Sequence, residues 1–201
     1  VTGEQEADIT AAIHKAAAVV IGPGLGQEAG AERLLDLVLQ EAKKLPELPV
    51  VIDADGLNLL AKKRLYSTLG RQYVLTPHLR EMSRLSGKSV QEIADDMTSA
   101  VMGQQAGATI VLKDARTLVS DGDWLYINLS GNSALSTGGS GDVLSGMIGG
   151  LLAQGCTQRT AATLAVYMHG LTAEKYCESA PPHCMLARDI LEMIPKIGGN
   201  S

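Results

Sequence analysis

Four short apolar runs punctuate the first half of the chain, with longer amphipathic stretches between them. They are Ala18-Val19-Val20-Ile21, Pro49-Val50-Val51-Ile52-Asp53, Gln72-Tyr73-Val74-Leu75 and Thr109-Ile110-Val111-Leu112. Leu34, Leu35, Val38, Leu39 and Ala42 recur at helical spacing and predict a helix over 31–44. Ser89 is placed to cap another over 89–105. Alternation of this kind confines the chain to the α/β class. The period then changes: the apolar stretches 117–120 and 124–128 flank Asp121-Gly122, the pattern of a β-hairpin. Helices are expected over 142–154, 160–177 and 187–194, with Pro181-Pro182 dividing the last two.

At 201 residues and with no repeat or linker, the sequence reads as a single domain over 1–201. A net charge of −5 argues against nucleic acid as a partner but leaves room for a local anion site. Aromatic residues are 3% and Phe is absent, so platforms for stacking bases are scarce. Cys156, Cys177 and Cys184 match no metal-ligand spacing and read as free thiols of a reducing compartment. No basic-then-apolar leader and no membrane-spanning apolar run is seen, so a cytoplasmic protein without a membrane partner is expected.

The densest signal is Ser136-Thr137-Gly138-Gly139-Ser140-Gly141-Asp142, running into the predicted helix. Three glycines in four positions let backbone N–H groups turn inward, and the helix start adds free donors and a positive dipole end. Together these make an anion site, most naturally for phosphate. A carboxylate beside a bound phosphate repels it, so Asp142 adds nothing to a simple binding loop. A carboxylate that takes the proton of a hydroxyl attacking that phosphate belongs there. The plainer reading, an acid favoured by the helix dipole, is ranked behind it.

The apolar runs end in further candidate segments, where ligands bind in open α/β sheets. Gly22-Pro23-Gly24-Leu25-Gly26 misses the dinucleotide pattern because Gln27 holds the third glycine position; it serves either as a tight turn or as a backbone wall for a flat ligand. In Asp53-Ala54-Asp55-Gly56-Leu57-Asn58, Asp55 reads as a helix cap, while Asp53 is open between solvation and Mg²⁺, directly or through water. His78, with Glu81 three residues on, either caps a helix or faces a substrate; His169, inside a helix, reads as structural. Lys113-Asp114-Ala115-Arg116-Thr117 is either a solvated turn or a contact for a nucleotide's phosphate or ribose.

In this order these segments resemble the ribokinase-like fold, and within it the ADP-dependent NAD(P)H-hydrate dehydratases, a YjeF-related group of carbohydrate kinase-like proteins. Residues 20–26, 53–58, 75–78 with Glu81, 111–113 with Ala115 and Thr117, and Asn132 with 137–144 carry the resemblance. It implies a three-layer α/β/α sandwich around a mostly parallel sheet. It implies a repair lyase that phosphorylates the C6 hydroxyl of hydrated NADH or NADPH from ADP or ATP, with Mg²⁺, and then eliminates phosphate. Asp142 would be the base; Gly139, Ser140 and Gly141 the anion hole; Gly24, His78 and Asp142 the substrate contacts. Residues 113–117 (Lys113, Asp114, Ala115, Arg116, Thr117) with Gly141 would bind the nucleotide. Relatives form tetramers, so a homo-oligomer is implied. A kinase for a sugar, thiazole or pyrimidine alcohol is the alternative within the fold. A non-catalytic nucleotide-binding module and a Rossmann oxidoreductase stand further off.

Three departures bear on ring positioning and nucleotide affinity more than on the phosphoryl step. Leu79 stands where the family has Pro, Asp114 where it has Gly, and Asn132-Ser133-Ala134-Leu135 where it has Asn-Pro-Gly-Met. Relatives also carry more chain ahead of the Gly22 turn, including strands and a substrate contact. The domain is therefore expected to be truncated on its N-terminal side, which would leave a sheet edge open to pairing.

Overall fold

The computed structural model describes residues 3–103 and 107–198. Helix α1 (Gly3–Ile13) leads into strand β1 (Val19–Ile21), α2 (Ala29–Lys44), β2 (Val50–Ile52), α3 (Ala54–Lys63) and β3 (Tyr73–Leu75). Three short helices follow, α4 (Leu79–Ser86), α5 (Val90–Asp95) and α6 (Met97–Met102), before β4 (Thr109–Leu112). Strands β5 (Leu118–Ser120) and β6 (Leu125–Ile127) make the expected hairpin, with Gly122 at φ +96° in its turn. Helices α7 (Ser140–Ala153), α8 (Gln158–Cys177) and α9 (Ala187–Met193) complete the order.

The six strands lie in sequence order; β1 to β4 are parallel, and β5 and β6 are antiparallel. Successive crossovers that step in one direction and share one hand must place their helices on one face. Period-2 side-chain alternation shows which face that is. Val50, Ile52, Tyr73, Leu75, Ile110 and Leu112 point into a core shared with α2, α3 and α4. Val51, Val74, Val111 and Val119 point the other way and would face water unless later helices covered them. Leu144, Ile148 and Leu152 of α7, with Ala161, Ala162, Ala165 and Val166 of α8, do so. The result is the three-layer sandwich. Small residues bring α7 close, since a Cβ on Gly149 would lie 2.4 Å from Val20 Cγ2.

The helix expected over 89–105 is broken, and its end at Gln105 lies outside the described residues. Asp96 takes φ −144° and accepts the Ser99 N–H at 2.9 Å, so its carboxylate ends α5 and caps α6. All three cysteines are free. Among the described residues no helix is long and apolar enough to cross a membrane.

Candidate active site

The ends of β2, β3 and β4 converge on the start of α7. Asp53, only 1% exposed, is the hub. Its Oδ1 accepts the Ala54 N–H at 2.8 Å and the Lys113 ammonium at 2.9 Å. Its Oδ2 accepts the Ser145 hydroxyl, which also lies 3.1 Å from the Gly141 carbonyl oxygen and 3.5 Å from Thr76 Oγ1. A Cβ on Gly141 would sit 3.3 Å from Lys113 Nζ, so the ammonium lies against the first turn of α7.

Asp53, not Asp55, is therefore the cap of α3. The helix starts two residues earlier than a cap at Asp55 would give, with Ala54 at φ +47° immediately after Asp53. Asp55 instead accepts the Gly26 N–H at 3.1 Å and the Gln27 amide at 2.9 Å, and so anchors the glycine turn. With both Asp53 oxygens engaged, the side chain does not fit a metal ligand. Among the described residues no group of three or more His, Cys, Asp or Glu could hold a metal ion.

Helix α7 begins at Gly139, held at φ +84°, with no side chain capping it. The Ser140 N–H turns back to the Thr137 carbonyl at 3.3 Å, which leaves the N–H groups of Gly141 and Asp142 for an outside acceptor. The helix start borders a cavity of about 750 Å³, a size that suits a nucleotide-scale ligand. One wall is Lys113, Asp114, Ala115 and Thr117; another is drawn from residues 128–137; Ser140, Gly141, Val166, His169 and His78 close it. Of the predicted site residues, Gly24, Asp53, Arg116, Gly139 and Asp142 lie off this lining. Asp142 is exposed on the first turn of α7. Gly24, at φ +64° with open space where a Cβ would go, sits on the turn that abuts Asp53.

His78 caps α4 and also lines the cavity. Its Nδ1 accepts the N–H groups of Arg80 at 3.1 Å and Glu81 at 3.2 Å, while Glu81 accepts the His78 N–H at 2.8 Å. That capping box commits Nδ1 as an acceptor, so the ring's proton is on Nε2. Burial, outweighing the nearby Glu81 carboxylate, lowers its pKa below the usual 6.5.

A family model described as NAD(P)H-hydrate dehydratase matches residues 2–196. The chain belongs to the NAD(P)H-hydrate dehydratase family. An ADP-dependent (S)-NAD(P)H-hydrate dehydratase of Neisseria meningitidis is 44% identical over 167 residues, 80% of this chain and 55% of that protein. The Bacillus subtilis protein of the same description is 34% identical over 184 residues, 90% of this chain and 63% of that one. This chain thus spans little more than half of such relatives, and 36% of a bifunctional NAD(P)H-hydrate repair enzyme of Coxiella burnetii that is 38% identical. A crystal structure of the ADP/ATP-dependent Bacillus subtilis dehydratase with ATP and Mg²⁺ superposes with a TM-score of 0.73 and 30% identity, covering 90% of this chain and 63% of that one. A ribokinase-like superfamily protein of Enterococcus faecalis superposes at 0.82 with 29% identity, over 97% and 67% of the two chains. The fold is ribokinase-like.

The departures from the dehydratase family pattern are accommodated locally. Leu79, at the first position of α4, packs against the main core. Asp114 is not among the residues at positive φ, so no glycine is needed there. Asn132 accepts the Ala134 N–H at 2.9 Å and caps a 3₁₀ turn over 133–135. The wall that follows β6 is docked on α8: Ser130 Oγ donates to the Tyr167 carbonyl at 2.9 Å and Gly131 N–H to Glu174 at 2.7 Å. Gly170 permits this contact, since a Cβ there would lie 2.1 Å from Ser130 Oγ.

Residues 128–131 of this wall carry no functional signal in the sequence, and His169, expected to be structural, also lines the cavity. His169 lies on the buried face of α8 with Ala165, Val166, Thr172 and Ala173, a setting that reads as core. Its Nε2 is 3.1 Å from the Ser140 carbonyl oxygen and 3.2 Å from Ser140 Oγ, tying the glycine loop to α8. Burial lowers its pKa from 6.5 to about 4, partly opposed by the Ser140 hydrogen bond. The folded protein keeps His169 neutral while the unfolded chain takes up its proton near pH 6.5, so this stability is intact above that pH and lost as pH falls toward 4. The full difference is ~3 kcal/mol. Urea midpoints at pH 7 and pH 4.5 should show His169→Gln losing less stability on acidification than the native protein; equal losses would exclude this coupling.

Proposed function

We propose that the chain carries ADP- or ATP-dependent dehydration of hydrated NADH or NADPH. The observation that carries this reading is the uncapped start of α7, open to a nucleotide-sized cavity, with Lys113 Nζ against its first turn. Hydroxide is a poor leaving group and phosphate a good one, so transfer followed by elimination makes the dehydration feasible. Asp142 takes the proton of the C6 hydroxyl as its oxygen attacks the terminal phosphorus, and the bond to the departing nucleotide breaks. Elimination then breaks the C6–O bond, releases phosphate and restores the ring double bond with loss of a neighbouring ring proton. The amides of Gly139, Ser140 and Gly141 receive the charge on the phosphoryl oxygens.

The cavity lined by Lys113, Asp114, Ala115 and Thr117 holds the adenine nucleotide, with Arg116 at its exposed rim and Gly141 beneath the phosphates. Gly24 and His78 hold the hydrated ring; His78 can do so as a donor from Nε2. Mg²⁺ is proposed as a companion of the nucleotide's phosphates, whose charge it would offset, and not as a ligand of Asp53. A cytoplasmic setting fits the three free thiols. A homo-oligomer, a tetramer by the resemblance, fits the exposure of Ile127, Leu129, Leu164 and Tyr167.

Phosphorus NMR of a reaction with hydrated NADH and ADP tests the route. Inorganic phosphate and AMP should accumulate together with no lasting phosphate ester. A lasting ester would move the assignment to a small-molecule kinase of the same fold.

A further inference from the structure

Lys113 places a cation at the wrong end of a helix. Helix starts favour anions, and ammonium groups are stabilising at helix ends. Yet Nζ lies 3.3 Å from where a Gly141 Cβ would be, within the first turn of the 14-residue α7 and beside its uncapped amides. The placement is built. Asp53, buried, accepts from Nζ at 2.9 Å, and Ser145 holds the other carboxylate oxygen. The Lys113 N–H donates to the Pro77 carbonyl at 2.8 Å, fixing the base of the side chain. Any side chain at 141 would intrude on the ammonium. Asp53 Oδ2 lies 4.0 Å from the same point, so the carboxylate offsets the ammonium at the helix start, while taking both charges from water is costly. The arrangement is favourable when a polyanion completes it.

Resting on the phosphoryl-transfer reading above, we propose that Lys113 is a clamp on the terminal phosphoryl group, acting with the loop amides rather than on the ribose or base. Asp53 and Ser145 are positioning residues that hold its ammonium in line. The pair then divides the labour in one place: Lys113 carries the charge that meets the phosphoryl oxygens, and Asp53 keeps it from following the leaving nucleotide.

Calorimetric titration with ADP and with AMP decides the matter without any turnover. The native protein should prefer ADP. Lys113→Met should weaken ADP about tenfold, leave AMP within about twofold and abolish the preference. If that variant fails to fold because Asp53 is left unpaired, the double variant Lys113→Met/Asp53→Asn removes both charges and should show the same loss of preference. Asp53→Asn and Ser145→Ala should keep ADP affinity, since Asp53→Asn removes a negative charge near the phosphates. Both should lower kcat about tenfold with hydrated NADH while its KM stays put. An ADP preference that survives loss of Lys113 overturns the clamp. Unchanged kcat in both Asp53→Asn and Ser145→Ala overturns the positioning roles. Failure of the dehydratase reading shows separately, as ADP-selective binding without turnover of hydrated NADH.

Discussion

Gly22→Ala should cost about 4 kcal/mol of stability, combining the strain of an unfavourable φ with overpacking against backbone. Gly22 sits at φ +124°, and a Cβ there would fall 1.8 Å from the Asp53 carbonyl oxygen and 3.0 Å from the Gly56 nitrogen. Neither neighbour can yield. The Asp53 carbonyl accepts the Gly56 N–H at 2.9 Å, and the Asp53 N–H donates to Ile21 at 3.1 Å as the last link between β1 and β2. Gly56 is confined in turn, with Ile52 Cγ2 2.8 Å from its own missing Cβ. Gly24→Ala is the control, because its φ is also positive but nothing lies within 4 Å; it should cost about 1 kcal/mol. Thermal or urea unfolding of the two variants checks the comparison, and equal losses would contradict the packing described.

Asp142→Asn should reduce kcat about a thousandfold, as expected for loss of a general base. The affinity for ADP should hold steady or rise, because a carboxylate near the phosphates repels them. That combination separates catalysis from support. As a helix-start acid alone, Asp142 would contribute only about 0.3–1 kcal/mol to stability, and its loss would barely touch turnover. Steady-state rates paired with ADP titration make the measurement. A kcat within about tenfold of native would remove Asp142 from the chemistry.

The sheet was legible because each strand is an unbroken apolar run, so β1 to β6 fall within a residue or two of where the pattern puts them. Helices α2, α7, α8 and α9 were legible for similar reasons of spacing and flanking glycine or proline. Helix α1 was not, since among its described side chains only Ile9 and Ile13 pack on the core. The break at Asp96 was hidden because a carboxylate that captures a nearby N–H leaves no mark on apolar spacing. In the site, the glycine loop and the strand-end segments declared themselves by composition. What joins them did not. Lys113 meets Asp53 across 60 positions of chain, and Ser145 meets Asp53 across 92. Ser145 looks like any small residue on a helix, and the docking of Ser130 against Gly170 depends on the path of the chain after β6, which no local pattern encodes.

The most direct test is the return of reduced-nicotinamide absorbance from hydrated NADH with Mg²⁺, run with ADP, with ATP and with no nucleotide. Recovery is expected only when a nucleotide is present, with one AMP formed for each NADH restored from ADP. No recovery by a folded protein that binds ADP would contradict it.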